Sequence, residues 1–313
     1  MSNGKKIVVT GAAGLVGQNL IPRLKAKKLG SIVGVDKHEA NVRTLTQLHP
    51  DIDVVEADLA KPGDWEKAFA AIDTLVLNHA QIGGLDEKPF IDNNVTATQN
   101  VLDVARRSGV RNIVHISSSV VNSMARDFYT ETKKAQEKLV VESGLPATVL
   151  RPTLMFGWFD RKHLGWLARF MQRALVFPIP GDGLYLRQPL YVGDFCDVIV
   201  SCVETPRTGQ FFNISGQEKI NYIDLIREIK KATGAKTPIV QIPYLVFWLL
   251  LEGYAVFDRN PPFTTKQLKA LVTPDVFEIT PWPATFGVQA TPLLEALTET
   301  FQAPVYSSIV LEF

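Results

Sequence analysis

Cysteine is scarce in this sequence: only Cys196 and Cys202 occur in 313 residues, six positions apart. A disulfide scaffold is excluded, and no His or Cys stands beside them at metal-ligand spacing, so no metal is expected. Both read as reduced, buried thiols of a cytoplasmic protein. Charge of one sign is equally short. Lys and Arg number 33 against 32 Asp and Glu, a net charge of +1, which leaves no composition-level footprint of nucleic acid or of an acidic membrane. Long apolar runs are missing too. The longest spans Tyr244 to Leu251, then Glu252, then Gly253 to Phe257, well short of the roughly 20 residues a membrane span needs. It reads as a buried helix of a second lobe, with a lipid-facing lid as the sharper alternative. Met1-Ser2-Asn3-Gly4-Lys5-Lys6 runs straight into a strand pattern, so no signal peptide is expected.

What is present is an alternation. Short apolar runs at 6–10, 31–36, 52–56, 74–78, 112–117 and 147–151 are separated by longer segments, several with apolar residues at helical spacing, such as Leu20, Ile21 and Leu24. Helices are expected over 94–108 and 130–143, closed by Gly109 and Gly144. Near-continuous apolar strands between helices imply an α/β fold, a Rossmann-type doubly wound parallel sheet covered on both faces. After Pro152 the alternation loosens into a smaller mixed α/β lobe. The expected division is a cofactor domain over 1–151, to which 190–214 returns through a helix at 192–203 and a strand at 210–214. Residues 152–313 form mainly a substrate-binding lobe. The apolar-rich end, Val305 to Phe313, has no account at this level.

The loop Gly11-Ala12-Ala13-Gly14-Leu15-Val16-Gly17 follows the first strand and opens the first helix. Gly11 allows the tight turn, Gly14 lets the backbone approach a pyrophosphate, and Gly17 permits close helix–strand contact. The helix N-terminus offers free N–H groups to the phosphates. Asp36 ends the next strand, 19 residues after Gly17. A carboxylate there accepts hydrogen bonds from ribose hydroxyls and repels a 2′-phosphate, which favours NAD over NADP, although Lys37 and Arg43 are close by.

The wide glycine spacing resembles that of the extended short-chain dehydrogenase/reductase family, the NAD-dependent epimerase/dehydratase group. The resemblance continues through Asp58-Leu59, the pair that meets adenine in that family. It includes Asn78-His79-Ala80 at the fourth strand end, and Asn94-Val95-Thr96-Ala97-Thr98, with Ala97 where glycine is usual. Leu150-Arg151-Pro152 looks like the strand end that reaches the nicotinamide. The resemblance implies a cofactor site of Gly11, Ala13, Gly14, Leu15, Val16, Gly17, Asp36, Asp58, Leu59, Asn78, Ala80, Asn94, Tyr129, Lys133 and Pro152. It is good from residue 5 to about 235 and thin beyond.

Tyr129 and Lys133, four apart at the start of a helix, share one face. A lysine ammonium near a phenol lowers its pKa from about 10, so that the tyrosine can exchange a proton with a substrate hydroxyl. Ser117-Ser118-Ser119 ends the fifth strand at the carboxyl edge, where ligands bind in such sheets. The set resembles the family's Ser/Tyr/Lys triad, with Ser118 as the matching serine and Ser119, next to it, as the close alternative and otherwise a substrate contact. Val121-Asn122-Ser123 replaces the usual Val-Tyr-Gly, and the loop to Tyr129 is about half the usual length. No Asp-Glu pair follows Ser118, which disfavours a 4,6-dehydratase.

In the second lobe, Gly181-Asp182-Gly183 through Arg187 to Asp194 resembles the segment in which an arginine grips a sugar diphosphate. A guanidinium fork suits that task; a local pair between Arg187 and Asp182 is the plainer alternative. Asp194 reads as a cap of the helix beginning there, and Arg161 and His163 as a solvated loop. The aromatics Phe156, Trp158, Phe159, Trp166, Phe170, Phe177 and Tyr185 read as core before ligand platform. Many nucleotide-sugar members carry Asn where this chain has Leu154. Three functions follow. The first is an NAD-dependent epimerase or oxidoreductase of a nucleotide-linked sugar. The second is a reductase or dehydrogenase of a hydrophobic, steroid- or flavonoid-like alcohol. The third is a non-catalytic NAD-binding relative. A homodimer through the helices at 94–108 and 130–143 is the family expectation.

Overall fold

The computed structural model describes residues 4–257 and 264–312. Met1–Asn3, on which the signal-peptide expectation falls, and Phe313, the end of the apolar tail, lie outside the described residues.

The alternation becomes β1 (Lys5–Thr10), α1 (Leu15–Lys27), β2 (Gly30–Asp36), α2 (Glu39–Leu48), β3 (Asp53–Glu56) and β4 (Thr74–Leu77). A short α3 (Glu87–Phe90) leads through a π-turn, Ile91–Thr96, into α4 (Ala97–Arg107). Then come β5 (Asn112–Ile116), α5 (Phe128–Glu142) and β6 (Ala147–Pro152). The helix expected over 94–108 thus begins earlier and is wider at its start. Gly109 and Gly144 follow α4 and α5 at φ 69° and 68°, the left-handed conformation that stops a helix.

After β6 the chain forms β7 (Met155–Phe156), α6 (Leu164–Arg173), β8 (Phe177–Pro180), β9 (Leu186–Arg187) and β10 (Leu190–Tyr191). It continues as α7 (Val192–Glu204), β11 (Phe211–Ile214), β12 (Ile220–Asn221), α8 (Tyr222–Thr233), β13 (Ile239–Ile242) and α9 (Tyr244–Phe257). The described remainder holds α10 (Thr265–Val272), α11 (Trp282–Phe286) and α12 (Leu293–Gln302).

Seven parallel strands make one sheet in the order β11-β6-β5-β4-β1-β2-β3. As expected, 211–214 returns to it. The order reverses at β1, so the crevice between the carboxyl ends of β1 and β4 is the place for a ligand. Strand period two divides the core between the faces. Ile7 and Val9 enter a cluster with α1, α7 and Trp282 and Phe286 of α11, while Val8 enters one with α4. A third cluster, built on Phe156, Phe177, Ile226 and Leu297, lies among α6, α8 and α12.

Two segments depart from the sequence reading. Residues 244–257 do form a helix, but not a buried one: Leu245, Leu249 and Leu250 are 66%, 56% and 59% exposed. An apolar run sets the helix; burial requires a partner surface, and the described fold brings little to it. The C-terminal tail, by contrast, packs back on the body. Tyr306 sits against Trp158 and Phe159 at 4.4 and 5.5 Å between ring centres. The Glu312 backbone exchanges two 2.9 Å hydrogen bonds with the Asn41 side chain. That strap ties the end of the chain to α2.

Candidate active site

The glycine loop is held from both sides. Gly11 has φ 65°, and a Cβ there would lie 2.8 Å from the His79 Cα. Asn78 Nδ2 also donates to the Gly11 carbonyl at 3.0 Å. Asn78 thus braces the loop. Gly17 lies so close to β1's end that a Cβ would meet the Ala12 carbonyl oxygen at 2.3 Å. Gly14 differs. It has an ordinary φ of −81°, and its Cβ would meet only the Gly11 oxygen at 3.4 Å. The protein's own packing does not require glycine there; a ligand lying against the loop would.

Gly14 is also the N-cap of α1, with no side-chain cap and no acid in the first turn. The free N–H groups and the positive helix end therefore face an open cradle. These features fit the pyrophosphate of a dinucleotide. Gly14→Ala is expected to change stability by under about 1 kcal/mol and to weaken NAD binding about tenfold or more. Gly17→Ala is expected to cost about 1–3 kcal/mol or more by overpacking. Urea unfolding and NAD titration of the two variants separate these effects, and equal losses of stability would contradict them.

Asp36 ends β2 beside the glycine loop. Its Oδ2 accepts the Ala13 N–H at 2.9 Å, and its Oδ1 accepts the N–H of Lys37 and His38 at 2.7 and 3.1 Å. The carboxylate is thereby fixed beside the loop. Both neighbouring cations are engaged: Lys37 Nζ donates to Asn93, and Arg43 pairs with Glu39. Neither stands ready for a 2′-phosphate. Asp58 pairs with Lys61, Leu59 is buried in the core, and Asn100 holds the Leu59 carbonyl. Asn94 is buried in the π-turn. It exchanges hydrogen bonds with the Gln81 backbone and donates to Thr132, one residue before Lys133. Its observed contacts brace the fold around the site. Thr153, just after Pro152, has a buried Oγ1 with no hydrogen-bond partner among the described residues.

The three strand-end serines have separate fates. Ser117 Oγ donates to Glu137, which also holds Arg151 in a two-pronged ion pair. Ser118 Oγ accepts the Val120 N–H at 3.4 Å and stands beside the Tyr129 phenol, on which it acts to lower the pKa. Ser119 opens a 3-10 turn to Asn122. Ser118 is therefore the serine that meets Tyr129. Asp127 caps α5 one turn away, accepting the Thr130 N–H at 3.0 Å, which fixes the helix start and so the direction of Tyr129.

Lys133 is on the expected helix but does not do what spacing alone suggested. Its side chain is 1% exposed, and Nζ donates to the Ile116 carbonyl at 2.9 Å and to Gln136 Oε1 at 2.5 Å. Burial holds its pKa down to about 7, with Glu137 acting in the opposite direction. Tyr129 is correspondingly not lowered. Burial pushes its phenol up, against the pull of Ser118, and Asp127 adds to the rise. The expectation of a lysine-lowered phenol is thus corrected: the ammonium is turned inward.

Behind Lys133 runs a chain of hydrogen bonds that sequence reading missed. Gln136 Nε2 donates to Thr98 Oγ1 at 2.9 Å, Thr98 Oγ1 meets His79 Nε2 at 3.0 Å, and His79 Nδ1 meets Thr10 Oγ1 at 2.9 Å. Thr10 immediately precedes Gly11. Burial pushes the His79 pKa down to about 3, so the ring is neutral. Thr10 Oγ1 donates to the Val76 carbonyl and accepts the Asn78 N–H. That pattern puts the imidazole proton on Nδ1 and lets Thr98 donate to Nε2. The only sequence signal was Gln136 standing three residues after Lys133 on one helix face.

In the second lobe Arg187 does not pair with Asp182, whose carboxylate accepts the Leu184 N–H. Its Nη1 donates to the carbonyls of Leu186 and Thr273 at 2.8 and 2.9 Å, and the guanidinium lies over Tyr185 and Tyr222. Among the described residues no bond is made by Nε or Nη2, so one side of the fork is open. Asp194 is not the cap of α7. The helix begins at Val192, and Asp194 reaches instead to the N–H and hydroxyl of Thr291 at 2.9 and 2.5 Å. Of the aromatics, Phe156, Phe159, Phe177 and Tyr185 are buried as expected of core, while Trp166 and Phe170 are exposed and stacked on each other.

The model of the NAD dependent epimerase/dehydratase family matches residues 7–215. Among curated proteins, an N-acetyl-α-D-glucosaminyl-diphospho-ditrans,octacis-undecaprenol 4-epimerase of Escherichia coli O157:H7 is 25% identical. The match covers 83% of this chain and 81% of that protein. A UDP-glucose 4-epimerase of Vibrio cholerae is 24% identical over 82% and 85% of the two chains. The fold is similar to that of UDP-glucuronic acid 4-epimerase from Bacillus cereus, solved with UDP-glucuronic acid and NAD. That match has a TM-score of 0.72 at 22% identity and covers 95% of this chain and 98% of that one.

Proposed function

The chain belongs to the NAD dependent epimerase/dehydratase family and is an NAD-dependent enzyme, and from that premise we propose that it oxidises and re-reduces a carbon of a diphosphate-linked sugar, most simply as an epimerase of a nucleotide sugar. The observation that carries this reading is the Ser118–Tyr129 hydroxyl pair at the carboxyl end of β5, beside the β4 end that braces the glycine loop. Bound along Gly11–Gly17 and Asp36, NAD supplies a hydride acceptor and donor. Ser118 holds the oxygen of the reacting carbon. Tyr129 Oη takes the hydroxyl proton as the ketone forms and returns it on reduction. Lys133 leaves the Gln136 carbonyl oxygen to reach the cofactor side, where its charge favours the phenolate. Residues 1–151 with 190–214 hold the cofactor, and 152–313 supply most of the substrate lobe. Buried, unpaired Cys196 and Cys202 suit a reducing cytoplasm.

The curated relatives named above act on sugars carried by a diphosphate, one on undecaprenol and one on uridine. The open side of the Arg187 fork suits that shared group. In the presence of NAD, uridine or thymidine diphosphate is expected to raise the melting temperature. Arg187→Ala is expected to lower diphosphate affinity about tenfold or more, in line with a charged hydrogen bond of about 1.5–3 kcal/mol, and to leave NAD binding unchanged. A shift with steroid-like alcohols and none with either diphosphate would favour the alcohol reading. Tight NAD binding without turnover of any sugar nucleotide would favour a non-catalytic protein.

The same reading carries a homodimer through α4 and α5, whose outer faces offer Asp103, Arg106, Glu131 and Lys138. Light scattering is expected to return twice the chain mass of 34.7 kDa; a single chain at micromolar concentration would remove the dimer from the account.

A further inference from the structure

The acceptor that holds Lys133 is itself held. Gln136 is fully buried, as are Thr10 and Thr98. Its Nε2 donates to the His79 carbonyl at 3.2 Å and to Thr98 Oγ1 at 2.9 Å. A carbonyl only accepts, so the NH2 side of the amide has to face His79, and Oε1 has to face Lys133. Beyond Thr98 each hydrogen points onward, through His79 and Thr10 to the Val76 carbonyl. An ammonium at the head of such a chain polarises the bonds that follow it. The far end, Thr10, adjoins Gly11 of the cofactor loop.

The grip is firm in direction and modest in strength. Glu137, the next residue, carries the nearest opposite charge, but its carboxylate is engaged by Arg151 and Ser117. The other titratable groups facing Lys133 are His79 and His115, both pushed down by burial and neutral. Lys133 Nζ is left to the neutral oxygens of Ile116 and Gln136. A carboxylate at that contact would add a full opposite charge, whereas an amide oxygen offers a hydrogen bond alone. An ammonium held in this way can be drawn out by a competing acceptor. Meanwhile the groups acting on the Tyr129 phenol are Ser118 and Asp127.

We infer that Gln136 is a positioning residue, a latch that holds Lys133 Nζ withdrawn and competes for it with a bound dinucleotide. The inference rests on the reading that Lys133 reaches the cofactor, but not on the substrate, because NAD binding is read without turnover. The test is isothermal titration of the full chain with NAD at about pH 6, below the value of about 7 to which burial brings Lys133, so that the ammonium is present throughout. Gln136→Met keeps the length of the side chain and removes the acceptor; it is expected to tighten NAD binding about threefold or more. Gln136→Glu adds a charge to the acceptor and is expected to weaken NAD binding about tenfold. The bonds from Gln136 to Thr98 and His79 do not change when Lys133 moves, so their loss lowers the melting temperature of the Met variant without entering its NAD affinity. Lys133→Met is expected to bind NAD about threefold or more weakly, and in that background Gln136→Met is expected to shift the affinity by less than about twofold.

Gln136 variants that leave NAD affinity unchanged, or that shift it in one common direction, would overturn the latch. So would an effect of Gln136→Met that persists in the Lys133→Met background, the mark of a merely structural side chain. If the Met variant does not fold, Gln136→Glu decides alone, and an affinity equal to or above that of the wild type overturns the inference. A Lys133→Met protein that binds NAD as tightly as the wild type would remove Lys133 from the cofactor, and the latch with it.

Discussion

Tyr129→Phe is expected to lower kcat by about 10²–10⁴-fold, the span of a lost general acid–base group, while NAD affinity moves less than about threefold. The phenyl ring keeps the packing at the start of α5, so the variant is expected to fold. What it loses is the oxygen that stands beside Ser118 and that would carry the substrate proton. Because burial holds the phenol above its ordinary pKa, the basic form needs help when the substrate is bound. That help has to come from Lys133 or the cationic nicotinamide, and either brings the phenol down only once the cofactor is in place. Activity of Tyr129→Phe within threefold of the wild type would remove the residue from the chemistry.

The second large effect is on the pH dependence of stability. Lys133→Met is expected to be inactive and to lose the pH dependence of stability that the buried lysine gives the wild type. A lysine at about 7 in the fold and about 10.4 in the unfolded chain binds a proton more weakly when folded. Below pH 7 both states are protonated, and the fold carries the full cost of the buried charge, on the order of several kcal/mol at about 1.4 kcal/mol per unit. Between pH 7 and about 10 the folded group is neutral while the unfolded one is still charged, so wild-type stability rises with pH. Methionine removes that cost but leaves the Ile116 carbonyl and Gln136 Oε1 without their donor, about 1–3 kcal/mol each. The two terms are of similar size and offset one another at low pH. The expectation that reads Lys133 is the slope: above pH 7 the wild type gains on the Met variant by up to about 1.4 kcal/mol per pH unit. Urea unfolding at several pH values checks it, and parallel curves for the two proteins would show that Lys133 is not depressed.

The fold was legible because its signals are local. Six apolar runs, the glycine loop and the stops at Gly109 and Gly144 are each fixed by neighbouring residues, and the structure has all of them. The positions of Ser118 just after a strand and of Tyr129 at a helix start were legible for the same reason. Contacts between distant residues were not. The chain Thr10–His79–Thr98–Gln136–Lys133 joins four separate places, of which spacing relates only Gln136 and Lys133, on one helix. It turns Lys133 away from Tyr129, contrary to a reading of i,i+4 geometry alone. Asn41 receives the C-terminal strap from 271 positions away. Asp194 was read as a cap because it stands near a helix start; two residues of difference in where α7 begins put its side chain on Thr291 instead. The exposure of α9 was hidden by a general rule, that apolar runs are buried, which holds only where the rest of the chain supplies a surface.

The central claim is that one crevice brings NAD, the Ser118–Tyr129 pair and Arg187 to a single diphosphate-linked sugar. A crystal structure of the protein with NAD and a uridine diphosphate sugar tests it most directly. The expected result has the pyrophosphate of NAD on the α1 N-terminus and the nicotinamide beside Pro152. Tyr129 Oη lies within hydrogen-bond distance of the hydroxyl on the sugar carbon that faces the ring, and Arg187 is forked onto the sugar diphosphate. A sugar nucleotide bound with its diphosphate away from Arg187, or with Tyr129 facing no substrate oxygen, would contradict it.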